Sequence, residues 1–213
     1  MLVVHHLGIS QSDRIVWLCE ELAVPYQLIR YERDPVTRLA PPEYRALHPF
    51  GTAPVVTDDG TVLGESGAII EYIIAKHGGG RFALTADDAD FAEYLFWFHF
   101  ANGSMMPSSM VDLVVRIMGE TAPTAVVASL CERGDRAFAM IERRLGSVPY
   151  FAGREFTAAD IMMLFPLTTM RVFAPRDLSP FANIRAYLQR IGARPAYQRA
   201  IAKADPGFTP PLS

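Results

Sequence analysis

Apolar positions recur with two different periods along the 213 residues. In residues 1–77 short strand-like runs alternate with helical ones. Leu2–Leu7 is an apolar run of strand length. Over Arg14–Ala23, the positions Ile15, Leu18, Cys19 and Leu22 fall at i, i+3, i+4 and i+7, one face of a helix that Pro25 ends. Tyr26–Tyr31 reads as a second strand, and the crossover through a helix makes it parallel to the first. A stretch with Asp34-Pro35 and Pro41-Pro42 leaves room for a short helix. Pro54–Thr57 and Thr61–Leu63 then flank Asp58-Asp59-Gly60, the signature of a hairpin. Ser66 opens a helix carrying Ile69, Ile70, Ile73 and Ile74, closed by Gly78-Gly79-Gly80.

Beyond about residue 86 no strand pattern remains. Asp87–Met118 is a long aromatic-rich helical pattern, in which Gly103 and Pro107 predict a kink. Thr124–Leu145 is a second long helix with an interruption expected at Gly134. Thr157–Val172, Phe181–Ile191 and Pro195–Ala204 follow as shorter helices. The order β-α-β, loop, β-β-α predicts an α/β domain of thioredoxin-like topology over residues 1–80. A linker through Arg81–Ala86 leads to an all-helical domain over 87–213.

Composition narrows what such a chain does. Half the residues are apolar and a fifth charged, and the mean hydropathy of +0.15 excludes a disordered chain, which cannot bury enough surface to offset ordering entropy. No window reaches the ~18 consecutive apolar residues of a membrane span. His5 and His6 interrupt the first run and no small-residue cleavage site follows, so it does not read as a signal peptide. A net charge of −3 argues against nucleic-acid binding, which calls for a clustered basic surface. Two cysteines, Cys19 and Cys131, provide neither a disulfide framework nor metal-ligand spacing, so the expected compartment is the reducing cytoplasm and no metal is expected.

In a thioredoxin-like topology the chemistry sits where the first strand hands over to the first helix, because unpaired N–H groups and the helix dipole stabilise a thiolate there. A disulfide oxidoreductase needs C-x-x-C at that turn. This chain reads Gly8-Ile9-Ser10-Gln11-Ser12-Asp13-Arg14, and Cys19 lies about two turns into the helix. A serine hydroxyl does not ionise at neutral pH but donates a hydrogen bond to a thiolate brought by another molecule. Either serine also suits a plain N-cap. Glu65-Ser66 places an acid and a hydroxyl at a helix N-terminus, where N–H groups bind anions, and capping is again the alternative.

These pieces resemble the glutathione transferase family over nearly the whole chain. Four stretches carry the resemblance: Ser10–Arg14 with Glu20-Glu21-Leu22 and Pro25-Tyr26; His48–Val55; Glu65–Tyr72; and Phe156–Ile161. Arg33-Asp34, Ala40–Glu43, Ala159–Met162 and Phe165–Leu167 look most like the fungal and bacterial branch that includes the yeast microsomal-type enzyme. The resemblance implies glutathione as co-substrate and no metal. It implies a cis Pro54 that presents the Ala53 backbone to the cysteinyl part, and Glu65 with Ser66 on the γ-glutamyl part. Ser10 is the implied thiol-activating residue, with Ser12 as the fallback. Where many relatives carry a cation for the glycyl carboxylate this chain has Thr52, which can hydrogen-bond but not pair the charge, so the expectation is a replacement by Arg38 or His48, or else a lower affinity.

In the helical half the middle of the long helix is implied to line the electrophile pocket, with His99, Gly103 and Met106 as wall residues. The alternative for each is ordinary core. Thr157–Asp160 is a capping box with Phe156 and Ile161 as its staple, a folding element rather than a catalytic one. His5 and His6, adjacent in a strand, point to opposite faces and cannot share a metal. The expected function is conjugation of the glutathione thiolate to apolar electrophiles by a cytoplasmic homodimer. The competing readings are a catalytically weak binding module, or a glutathione-dependent peroxidase or isomerase using the same site.

Overall fold

A computed structural model describes residues 1–119 and 124–213. The elements run β1 (Leu2–Leu7), α1 (Asp13–Leu22), β2 (Gln27–Tyr31), α2 (Pro42–Arg45), β3 (Val55–Asp58), β4 (Thr61–Gly64) and α3 (Ser66–Lys76). They continue with α4 (Phe91–Phe100), α5 (Met106–Met118), α6 (Ala125–Ser147), α7 (Ala158–Leu167), α8 (Met170–Phe173), α9 (Ala182–Gly192) and α10 (Pro195–Ala204). Two compact units result. One comprises 1–83 and 193–209, the other 84–192 and 210–213.

The first unit is the thioredoxin-like domain. Its sheet has the order β2-β1-β3-β4. β2 lies parallel to β1 with Val3 opposite Gln27, and β3 is antiparallel to β1 with Val4 opposite Val56. The β3–β4 hairpin turns on Asp59 and Gly60, both at positive φ (47° and 86°), the conformation whose twist matches the flanking strands. The apolar face of α1 is buried as its periodicity predicts, yet Val16 and Trp17 on its other side are buried too. The reason is α10, which the sequence pattern grouped with the helical half. Tyr197 meets the Trp17 ring edge-on at 5.1 Å, and Arg194 grips Glu21 through two bonds of 2.7 and 2.8 Å.

The second unit is helical, with three departures from the pattern. The expected kink near Gly103 and Pro107 is a π-helical segment, Ala101–Met105, between α4 and α5. Pro107 supplies no N–H, so the hydrogen-bond ladder shifts register ahead of it. Gly134 does not interrupt α6. It is buried, and a Cβ there would stand 3.4 Å from the Asp112 carboxylate of α5, so it marks a close helix approach. The helix expected over Thr157–Val172 stops at Leu167 and resumes at Met170. Pro166 lies in its last turn, and the Thr168 hydroxyl donates to the Leu164 carbonyl at 2.9 Å, offering the backbone an alternative to the ladder. Every residue of α7 is buried, and its start is the expected capping box of Thr157 and Asp160.

Candidate active site

The turn between β1 and α1 is built around a strained residue. Ile9 has φ +48°, costly for a β-branched side chain and kept only where the surroundings over-determine it. The surroundings do so from two sides. The Ile9 N–H donates to Asp205 Oδ1 at 3.0 Å. Arg33 donates to the Gly8 carbonyl (2.9 Å) and the Ile9 carbonyl (3.3 Å).

Both candidate serines project inward from this turn. The Ser10 hydroxyl donates to the Leu7 carbonyl at 2.6 Å and lies 2.7 Å from Ser12 Oγ. Ser12 stands at the N-cap position of α1, but its side chain does not cap the helix. Its Oγ accepts the Leu7 N–H at 3.2 Å and lies 2.8 Å from His6 Nδ1. His6 Nε2 in turn faces Asp205 Oδ2 at 3.1 Å. Ser12 and His6 are fully buried, Ser10 and Asp205 are 5% and 6% exposed. Burial pushes the Asp205 carboxyl up, but the bonds from His6 and Ile9 outweigh it and leave it below its ordinary range. His5 points to the other face, as alternation requires, between the Tyr31 hydroxyl (3.0 Å) and Thr57 Oγ1 (3.2 Å).

A second group lies at the start of β3 and of α3. The Ala53–Pro54 peptide is cis. Pro54 is buried, Ala53 half-buried and Thr52 exposed. Glu65 is exposed at φ +67° immediately before α3, and Ser66 is buried as its first residue. Arg14, itself buried, reaches from α1 to Ser66 Oγ at 3.4 Å and to Gln11 Oε1 at 2.5 Å. Burial lowers the Arg14 pKa to about 10, so it stays charged at neutrality. His48 packs against Gly64, with its ring 3.3–3.4 Å from where a Cβ would stand, at the strand end that leads into Glu65. Arg38 lies elsewhere. It lines a cleft of about 380 Å³ with Ile9, Arg33, Asp205 and Phe208, to which Thr52, Ala53, Pro54, Glu65 and Ser66 do not contribute.

In the helical unit, His99 and Gly103 are exposed. Met106 is buried in a cluster with Phe165 and Met170. A cavity of about 230 Å³ there is lined by Phe100, Ser104, Ser108, Arg133, Arg136, Ala137 and Met140, and by none of those three. Among the described residues no group of three or more His, Cys, Asp or Glu could hold a metal ion. No helix among them is long and apolar enough to cross a membrane. Burial pushes the Cys19 thiol up to about 12, which removes it as a nucleophile.

Four residues of this neighbourhood carried no sequence signal of their role. Arg14 and Arg33 lie in stretches that carry the family resemblance, yet the resemblance assigns neither a contact there. His6 read only as one of an alternating pair, and Asp205 lies too far along the chain for any local pattern to join it to the turn.

A cis proline ahead of β3, a hydroxyl-bearing turn ahead of α1 and an acid–hydroxyl pair opening α3 define a thioredoxin-like domain without a redox cysteine, joined to a helical unit. Family models for the glutathione S-transferase N-terminal and C-terminal domains match residues 10–76 and 124–190. Glutathione S-transferase 3 of Schizosaccharomyces pombe is 36% identical, over 96% of this chain and 88% of its own length. A glutathione S-transferase structure from Actinobacillus pleuropneumoniae superposes with a TM-score of 0.87 at 30% identity, covering 96% of this chain and 93% of that one. The theta class enzyme of Xanthomonas axonopodis pv. citri, solved with glutathione bound, gives 0.72 at 25% identity, covering 94% and 96%. The chain belongs to the glutathione S-transferase family.

Proposed function

We propose that the protein conjugates the thiol of glutathione to apolar electrophiles, as a serine-type member of the branch shared by fungi and bacteria that includes the yeast microsomal-type enzyme. The observation that carries this reading is the pair opening α3. Glu65 presents an exposed carboxylate, while Ser66 is held at the helix N-terminus by Arg14 from α1. A γ-glutamyl group fits that arrangement, its ammonium on Glu65 and its carboxylate on Ser66 and the first N–H groups of α3. The Ala53 backbone meets the cysteinyl part and His48 serves the glycyl carboxylate, with Thr52 as a neutral partner. The thiol then lies over the turn that holds Ser10, with Ser12 behind it. Residues 1–80 act as the glutathione-binding domain, and 87–213 supply the apolar pocket, with His99, Gly103 and Met106 in its wall. The working form is a cytoplasmic homodimer.

One observation favours a second reading, a binding module without catalysis: the Ser10 proton already has an acceptor in the Leu7 carbonyl at 2.6 Å. Calorimetry with glutathione, followed by turnover of a chloronitrobenzene, separates the two. The expected outcome is binding and turnover, with Glu65→Gln raising the KM for glutathione ~10-fold or more, the usual effect of losing a charge-assisted bond. Binding without turnover of that or any hydroperoxide or isomerase substrate establishes the module, and no binding discards both readings.

A further inference from the structure

The four polar groups behind the β1–α1 turn form one continuous line. Ser10 Oγ, Ser12 Oγ and His6 Nδ1 are separated by 2.7 and 2.8 Å, and His6 Nε2 and Asp205 Oδ2 by 3.1 Å. His6 Nε2 stands at ion-pair distance from the Asp205 carboxylate but outside hydrogen-bond geometry; the tautomer with its proton on that side leaves the lone pair of Nδ1 for the Ser12 hydroxyl. Ser12 Oγ, which also receives the Leu7 N–H, then accepts from Ser10, whose proton is shared between it and the Leu7 carbonyl. The direction of donation therefore runs inward, and Ser10 meets an incoming group as an acceptor. A serine in that state cannot donate to a thiolate, but it can take a thiol's proton. The line has its outlet at Ser10, since Ser12 and His6 have no exposed surface.

We propose that Ser12, His6 and Asp205 are positioning residues of a proton relay that takes the glutathione thiol proton through Ser10 and stores it on His6. The inference rests on the functional reading above. In the step, the S–H bond breaks and its proton bonds to Ser10 Oγ. The original Ser10 proton passes to Ser12 Oγ, and that of Ser12 passes to His6 Nδ1. Sulfur gains a negative charge and the imidazole a positive one, with no net change. The imidazolium is paired to Asp205, the role a carboxylate plays behind a catalytic histidine. Every hydroxyl has now reversed, so Ser10 donates to the thiolate it helped to form. When sulfur displaces chloride from an aryl chloride, the C–S bond forms and the C–Cl bond breaks. The stored proton then returns through Ser12 and Ser10 to solvent. The other charged groups around His6 and Asp205 are Arg30, the register partner of His6 across β1–β2, Glu32, which is tied to Arg30 at 3.0 Å, and Arg33 on the Gly8 and Ile9 carbonyls.

Proton counting tests the relay. Glutathione binding is measured calorimetrically at neutral pH in two buffers of different ionisation heat, while thiolate absorbance reports deprotonation. The expected wild-type result is thiolate formation with almost no proton released to buffer. His6→Gln should bind glutathione with a dissociation constant within ~3-fold of wild type, under 1 kcal/mol. Its thiolate should appear only at higher pH and with a released proton, and kcat/KM should fall ~10²-fold or more, as for loss of a general base. Asp205→Asn keeps an acceptor for the Ile9 N–H, removes the charge and turns an amide N–H toward His6 Nε2, which moves the imidazole proton to Nδ1 and leaves the relay without an acceptor. It should show the same upward displacement, and it serves as the second variant if His6→Gln fails to fold. Stoichiometric proton release by the wild type, or an unmoved thiolate titration in the variants, overturns the relay alone. Absence of glutathione binding by the wild type overturns the functional reading, and the relay falls with it.

Discussion

Burying hydroxyls, an imidazole and a carboxylate at one turn is costly unless the polar atoms find partners, and here the partners are neighbours in the line and the backbone of Leu7 and Ile9, with His6 Nε2 held only at ion-pair distance from Asp205. Ser12 is the line's central member. Ser12→Ala removes the partner of His6 Nδ1 and of the Leu7 N–H together, both buried. Chemical denaturation should show a loss of ~1–3 kcal/mol, the usual cost of stranding buried polar groups. Ser10→Ala leaves one buried donor, the Ser12 N–H at 3.3 Å, without its acceptor against the two groups stranded by Ser12→Ala, and should cost less, although it should abolish turnover. Equal stability losses would contradict the ordering of the two serines. The cysteines offer a second check at this scale. Cys19 is fully buried and Cys131 half-exposed. An alkylating reagent should modify Cys131 in the native protein and reach Cys19 only on unfolding, read by mass spectrometry. The serines were legible in the sequence because they lie at the turn the topology singles out. Their inward direction was not, because it is decided by Asp205, some two hundred residues away.

At the scale of the element, the Thr157–Asp160 cap is both legible and energetically unusual. Its four-residue spacing is visible in the chain, and the structure adds what spacing cannot show. Asp160 is completely buried, accepting from Phe151 N (3.0 Å), Thr157 N (2.9 Å) and the Tyr187 hydroxyl (3.2 Å). Burial pushes its pKa up to about 6 despite those bonds. A carboxyl raised in the folded state is protonated more readily there than in the unfolded chain. Its contribution is therefore fully present below about pH 4 and is lost as pH rises through about 6. Asp205, displaced downward, acts in the opposite sense and loses its contribution as pH falls. Asp160→Asn should remove the fall in stability between pH 4 and 6, on the order of 3 kcal/mol at most for such a shift. It should also be less stable overall, because an amide nitrogen cannot accept the Thr157 N–H. A variant that keeps the wild-type slope in that window would exclude Asp160 as its source. The elements that pattern misjudged share one cause. Gly134, Pro107 and Thr168 have clear local preferences, and each outcome was set by what surrounds it: a close carboxylate, a ladder able to shift register, a hydroxyl able to bond back.

At the scale of the whole molecule, the apolar half of the composition has more destinations than two cores. The first unit leaves Phe50 71% exposed, with Val36 and Leu39, and the second leaves Leu95, Phe96, Met110 and Val114 outside. Isolated apolar residues on a surface need no explanation, but several along one pair of consecutive helices, α4 and α5, make the kind of patch that marks an interface. A homodimer that covers them needs ~1,200 Å² or more of buried surface to persist at micromolar concentration. Sedimentation velocity should therefore show a species of twice 23.6 kDa. Phe50→Ser and Phe96→Ser remove exposed apolar anchors, 71% and 48% accessible, Phe96 keeping only ring contacts to Trp97 and Phe100 within its own helix. Each should move the equilibrium toward monomer by ~10-fold or more in dissociation constant, equivalent to the ~1.4 kcal/mol or more that a buried aromatic anchor contributes. Neither should alter the denaturation midpoint of the dissociated protein. A single 23.6 kDa species across the concentration range would show that these faces are solvent surface, and the apolar excess would then have to be accounted for within each unit alone.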